Sequence, residues 1–176
     1  MSPHPRSLPD YVRPRLRILF VGINPGLRSA AVGHHFAGHS NRFWKLLFES
    51  NLVSEPLRAE EDQRVLQWNL GLTNVIRRPT TGIDLLSAAE YAAGRTRLIR
   101  LIDEYQPRLV ALLGVTIYRY LFVVEDGRPF RLGLQPDRLS GARIFVLPNP
   151  SGRNAHYSYR TMLASFRTLR KAAGAE

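Results

Sequence analysis

The chain has 176 residues and no cysteine, which suits one domain with one buried core and excludes disulfides, thiolate-held clusters and a Cys nucleophile. Its formal net charge is +11 and its pI about 11.0. The surplus rests on arginine, since the only lysines are Lys45 and Lys171. It points to a polyanionic partner, and arginine suits bidentate phosphate contacts, although a genome rich in G and C would inflate arginine as well. No signal peptide, no apolar run long enough to span a bilayer and no internal repeat is found. A soluble, cytoplasmic protein without a membrane partner is expected.

Residues 1–14 are rich in Pro and Arg without a period and read as a flexible arm. Residues 15–173 read as one domain. The run Ile18 to Val21 reads as a buried parallel strand that ends in Gly22-Ile23-Asn24-Pro25-Gly26. Two glycines and a proline force a tight loop there. In open α/β sheets ligands bind at the carboxyl ends of the strands, so Asn24 is displayed where chemistry is expected. On the residues alone, Asn24 serves equally well as a turn former. Leu27 to Ser40 reads as a polar loop, followed by a helix from about Asn41, with Ser40 or Asn41 as its cap.

Ala59 to Trp68 reads as helical, with Glu60, Glu61 and Asp62 in the first turn. Leu70 to Ile76 is a second strand, leading to Arg77-Arg78-Pro79-Thr80-Thr81-Gly82. Ser87 and Glu90 form a capping box for a helix that reaches Tyr105, with Leu98, Leu101, Ile102 and Tyr105 inward. Leu109 to Leu113 is a third strand, with a short helix around Tyr118 to Phe122. Residues 125–142 hold many turn formers and suit a hairpin. Ile144 to Leu147 is a fourth strand, running into Pro148-Asn149-Pro150-Ser151-Gly152-Arg153-Asn154, and a helix over about Ser158 to Ala173 closes the chain. The class is α/β, with helices on both faces of a mainly parallel four-stranded sheet. Right-handed crossovers put the loops after the first and fourth strands at one sheet edge, as two lips of a cleft.

Gly22-Ile23-Asn24-Pro25-Gly26, Phe36-Ala37, Asn41-Arg42-Phe43-Trp44-Lys45, Gly71-Leu72-Thr73-Asn74 with Arg78-Pro79-Thr80, and Leu147-Pro148-Asn149-Pro150-Ser151-Gly152 resemble the mismatch-specific uracil/thymine-DNA glycosylases of the uracil-DNA glycosylase superfamily. The likeness spans roughly Arg15 to Leu169. It implies a three-layer α/β/α sandwich. It also implies hydrolytic removal of uracil, and of thymine or other damaged bases, opposite guanine in double-stranded DNA, without a cofactor. The enzyme would act as a monofunctional monomer and pass its abasic site to an endonuclease.

The resemblance also implies roles. Asn24 would hold the water at the sugar carbon: an amide accepts and donates hydrogen bonds but is no strong base, which suits a cleavage in which the base leaves first. Gly22, Ile23, Ser29, Phe36 and Asn74 would form the base pocket. There Phe36 stacks on the flipped base, backbone N–H groups of Ile23 and the Phe36 region stabilise the departing anion, and Asn74 tunes which base is accepted. Asn149, Pro150, Ser151, Gly152 and Arg153 would form the minor-groove loop, with Arg153 as the wedge. Arg42, Lys45, Arg77 and Arg78 are candidate phosphate contacts. His34, His35 and His39 lie close together, but with no cysteine near them and no metal implied, no metal site is expected. Two other readings remain at this stage: a mononucleotide-binding enzyme whose Gly22–Gly26 loop cradles phosphate, and a DNA-binding module without activity.

Overall fold

The computed structural model describes residues 7–122 and 130–174. Five short strands form one sheet: β1 (Ile18–Gly22), β2 (Leu70–Asn74), β3 (Leu109–Leu113), β4 (Gly133–Leu139) and β5 (Ala142–Leu147). Their spatial order is β2-β1-β3-β5-β4. The first three and β5 pair in parallel, and β4 closes one edge antiparallel to β5. The sheet therefore has one more strand than expected. The extra strand is half of a hairpin in the turn-rich stretch, of which residues 125–129 lie outside the described residues.

Every residue of β1, β2 and β3 is buried, because helices cover both faces of the parallel strands. Alternation sorts them. Ile18, Phe20, Leu72, Ala111 and Phe145 face one core with Phe43, Leu47, Met162 and Phe166. Leu19, Val21, Val110, Leu112 and Val146 face the other with Tyr91, Leu98, Ile102 and Ile117. The first core lies under α2 (Phe43–Glu49), α5 (Tyr159–Gly174) and a 3-10 stretch at Ala59–Trp68, the second under α3 (Ala88–Tyr105) and α4 (Val115–Leu121). The expected three layers are present. The α3 capping box forms as expected: Ser87 Oγ accepts from the Glu90 N–H at 3.2 Å, and Glu90 Oε2 accepts from the Ser87 N–H at 2.9 Å.

Two further departures bear on the site. The loop after Gly26 contains a helix, α1 (Leu27–Val32), that ends at Gly33 in the left-handed region with φ 82°. Residues 7–14 belong to the fold rather than to a free arm. Leu8 is buried, and Tyr11 exchanges backbone hydrogen bonds of 2.9 and 3.0 Å with Leu72 on the outer edge of β2. That edge would otherwise present unpaired backbone groups.

Parallel register brings Gly22 level with Asn74, and Leu113 level with Leu147. The carboxyl ends of four strands thus share one edge. Helix α3 presses closely on the end of β2: a Cβ on its buried Gly94 would lie 2.4 Å from the Val75 carbonyl oxygen. Gly94→Ala improves helix propensity by about 1 kcal/mol, while the overlap costs about 1–3 kcal/mol. Urea unfolding of this variant is expected to show a net loss of stability; a raised midpoint would contradict the close approach.

Candidate active site

Beyond the strands, the loops after β1 and β2 continue side by side. Gly22 and Ile23 carbonyls accept from the Val75 and Ile76 N–H groups at 2.9 Å each, and the Pro25 carbonyl accepts from the Thr80 N–H at 3.2 Å. Gly26 and Thr80 then form an isolated parallel bridge. Asn24 sits inside this zipper. Its Nδ2 donates to the Arg78 carbonyl at 2.9 Å and to Thr80 Oγ1 at 2.8 Å. The Thr80 hydroxyl passes its own proton to the Gly82 carbonyl at 2.9 Å, so it must accept from Asn24. A carbonyl can only accept, so the atom facing Arg78 has to be the nitrogen. The amide is thereby fixed one way round, and Oδ1 has no partner among the described residues. Asn24 is half-buried, with an aimed and unspent acceptor.

Next to it, Asn74 and Phe36 pack on Gly22: a Cβ there would fall 2.5 Å from Asn74 Oδ1 and 3.7 Å from Phe36 Cε1, so only a glycine lets the Asn74 carboxamide come in this close. Asn74 is only 7 % exposed, and its carboxamide bonds no described residue. Its polar atoms are still not sealed off: among the described residues, only Arg17 Nε and Arg42 Nε are both buried and unpaired. Its donor and its acceptor are therefore both unspent among the described residues.

Phe36 is the other side chain beside Gly22. Its ring lies 4.1 Å from that of Phe43 at 32°, and its backbone holds φ 53°, uncommon for a residue with a Cβ. The surrounding contacts over-determine that turn. Ser29 Oγ accepts from the Ala37 N–H at 3.0 Å, Trp44 Nε1 donates to the His35 carbonyl at 3.1 Å, and Arg28 Nε donates to the Ala37 carbonyl at 2.9 Å. Asp62, almost fully buried, accepts from the His35 N–H at 2.8 Å and meets His34 Nδ1 at 3.2 Å. Ser29 thus acts as a buckle for the Phe36 turn. The Phe36 N–H itself bonds no described residue. Ile23 is buried between Gly22 and Asn24.

The loop after β5 supplies the second lip. Asn149 Oδ1 accepts from the Ser151 N–H at 3.0 Å, and Asn154 Nδ2 donates to the Asn149 carbonyl at 2.9 Å. Gly152 passes so close to Ser40 that a Cβ there would lie 2.1 Å from its Oγ. Arg153 is exposed and reaches across to the Thr81 carbonyl at 2.5 Å. The loops after β1, β2 and β5 therefore meet at one edge of the sheet, with the β5 loop touching Ser40 and Thr81.

Residues 9–172 match the model of a family described as the uracil DNA glycosylase superfamily. The chain belongs to that superfamily. Its fold is also that of a candidate uracil DNA glycosylase from Methanosarcina acetivorans, solved by solution NMR: the TM-score is 0.62 at 19 % identity, over 94 % of this chain and 98 % of that one.

Two of the candidate phosphate contacts of this superfamily member are spent elsewhere. Arg42 donates from Nη2 to the Ser151 and Asn154 carbonyls at 2.9 and 3.1 Å, while its backbone N–H donates to the Pro150 carbonyl at 3.0 Å. It shapes the β5 loop from within. Arg78 is clasped by both oxygens of Glu90 at 2.6 and 3.1 Å and donates to the Leu85 carbonyl at 2.9 Å; the guanidinium holds the Glu90 carboxyl down at about 2. Arg77 pairs with Asp10 at 3.2 Å but stays half-exposed. Lys45 is exposed and lies 4.8 Å above the Tyr159 ring. Sequence reading gave Thr80 no role of its own, placed Asp62 only in a helix first turn and offered Ser40 only as a helix cap; in the structure Thr80 holds Asn24, Asp62 holds the His35 N–H beside Phe36, and Ser40 packs closely on Gly152.

Among the described residues no three His, Cys, Asp or Glu side chains group as a metal site. His35 Nε2 instead faces the Pro9 carbonyl at 2.7 Å, which fixes the proton on that nitrogen. Burial pushes the His35 pKa down, outweighing the Pro9 carbonyl and the Asp62 charge. With its folded value below the unfolded one, the stability it contributes is present above about pH 6.5 and is lost as pH falls through the folded value. The thermal midpoint should drop between about pH 7.5 and about pH 5.5, and His35→Gln, which keeps the donor without the titration, should flatten that drop. Parallel pH profiles for the two proteins would refute the role of His35.

Proposed function

We propose that this chain is a monofunctional DNA glycosylase that removes uracil, and less readily thymine, from mispairs with guanine in duplex DNA. The observation that carries the reading is the Asn24 carboxamide: both its donor hydrogens are held by the protein, and Oδ1 has no partner among the described residues; Phe36 and Asn74, which both pack on the neighbouring Gly22, would wall a niche for the base. A base is reached for such chemistry only after it leaves the stack, at a cost of a few kcal/mol that is least at a mismatch. The flipped pyrimidine would lie on the Phe36 ring, and Asn74 would offer its donor and acceptor to the polar edge. The C1′–N1 bond breaks with its electron pair going to the base, and the sugar becomes cation-like. A water held by Asn24 Oδ1 then adds to C1′ and gives up one proton to solvent. The Phe36 N–H is a candidate donor to the departing anion.

Supporting the monofunctional part, Lys45 and Lys171 sit on α2 and α5 rather than on the site loops, so neither lysine amine stands ready as a nucleophile. Arg153 would leave Thr81 to fill the gap in the duplex. The phosphate-cradle alternative is weakened because the Gly22–Pro25 segment turns three carbonyls to the β2 loop. It is also weakened because α1 has only six residues. A labelled duplex with one G·U pair, incubated without cofactor, should be nicked at uracil only after alkali. Borohydride should trap no protein–DNA adduct. An intact strand at enzyme excess would overturn the reading, and binding without nicking would favour a non-catalytic module.

A further inference from the structure

The Asn74 carboxamide has no hydrogen bond of its own among the described residues, so its aim depends on its backbone. That backbone ends β2, an edge strand. Residues of a strand alternate in the direction of their N–H and C=O groups. Leu72 points outward and is paired by Tyr11, whereas Val75 points inward to Gly22. The next outward carbonyl is that of Asn74, and no strand continues there to take it. Arg97 of α3 takes it: Nη2 donates to the Asn74 carbonyl and lies 3.4 Å from Thr73 Oγ1. The guanidinium is held in turn by Asp10, whose Oδ2 accepts from Arg97 Nη1 at 2.9 Å, while Oδ1 accepts from Thr73 Oγ1 at 2.6 Å. Arg77 makes the third contact to the same carboxylate, at 3.2 Å.

We infer that Arg97, anchored by Asp10, is a positioning residue for Asn74, and that this clip on the outer edge of the sheet sets how strictly the niche selects its base. The inference rests on the glycosylase reading for its consequence, not for its geometry. A rival role exists for Arg97. With Arg77, Arg100 and Glu104 it lines a groove of about 420 Å³, where it could touch a DNA phosphate instead.

The two roles separate by the effect of Arg97→Met on binding. If Arg97 contacts phosphate, Arg97→Met weakens duplex binding. If it positions Asn74, Asp10→Asn and Arg97→Met both lower single-turnover uracil release, by roughly tenfold to a hundredfold, and Arg97→Met leaves the duplex Kd little changed. Both also narrow the ratio of uracil to thymine release, and Arg97→Lys recovers part of it. Combining Arg97→Met with Asn74→Ala then costs no more than Asn74→Ala alone, since the two act through one group. A readout independent of activity is the Asn74 side-chain amide signal in 15N–1H spectra of the free protein: sharp in the parent, shifted or broadened in Asp10→Asn and Arg97→Lys. Should the parent release no base, the glycosylase reading fails and the spectra still decide the clip. Unmoved amide signals, an additive double variant or weaker duplex binding by Arg97→Met would each overturn the inference.

Discussion

Everything at this site depends on one carboxamide being unable to turn over. A free asparagine side chain presents its oxygen and nitrogen with nearly equal ease. Here a carbonyl and a hydroxyl whose proton is already given away both demand a donor, so the Asn24 nitrogen must face them and the oxygen must face out. Rotating the amide would set its oxygen against the Arg78 carbonyl and leave a half-buried donor without a partner, at about 1–3 kcal/mol. The acceptor is thus aimed before any substrate arrives, which is the form of preorganisation that lowers a barrier without reorganisation at the moment of reaction.

That constraint is made by the sheet. Parallel pairing in register brings Gly22 and Asn74 level, and the ladder then runs past both strands as far as Thr80. A parallel sheet is needed for this, because only then do two neighbouring strands deliver their loops to the same edge. The lock has further supports. Glu90, fixed by the α3 capping box, holds Arg78, whose carbonyl in turn holds Asn24. Arg42 and Arg153 tie the β5 loop to its neighbours. Arg42, Arg78 and Arg153 are therefore part of the loop architecture.

The sequence made the framework readable where the local signals were strong. Apolar runs marked the strands covered on both faces, and the Ser87–Glu90 spacing marked α3. Strand β4 escaped because it lies at an edge: GLQPDRL alternates in exposure, carries a proline, and shifts register between Leu134 and Arg138, features that protect an edge but hide a strand. Helix α1 escaped because six residues with no side-chain cap leave little pattern. Asn24, Phe36 and Asn74 were singled out in sequence, and the structure places them around Gly22. What could not be read was the state of the cations. Whether Arg42 or Arg78 is free for phosphate depends on carbonyls 109 residues away in the first case and a carboxylate 12 residues away in the second, and no local spacing encodes either.

The measurement that bears most directly on the aimed carboxamide is single-turnover base release by Asn24→Ala on a G·U duplex, taken together with the Kd for that duplex. Removing the acceptor should slow release by about a hundredfold or more and leave the Kd within about twofold of the parent, because in the proposed mechanism the side chain positions water rather than DNA. Release at the parental rate would show that another group directs the water and would contradict the account at its centre.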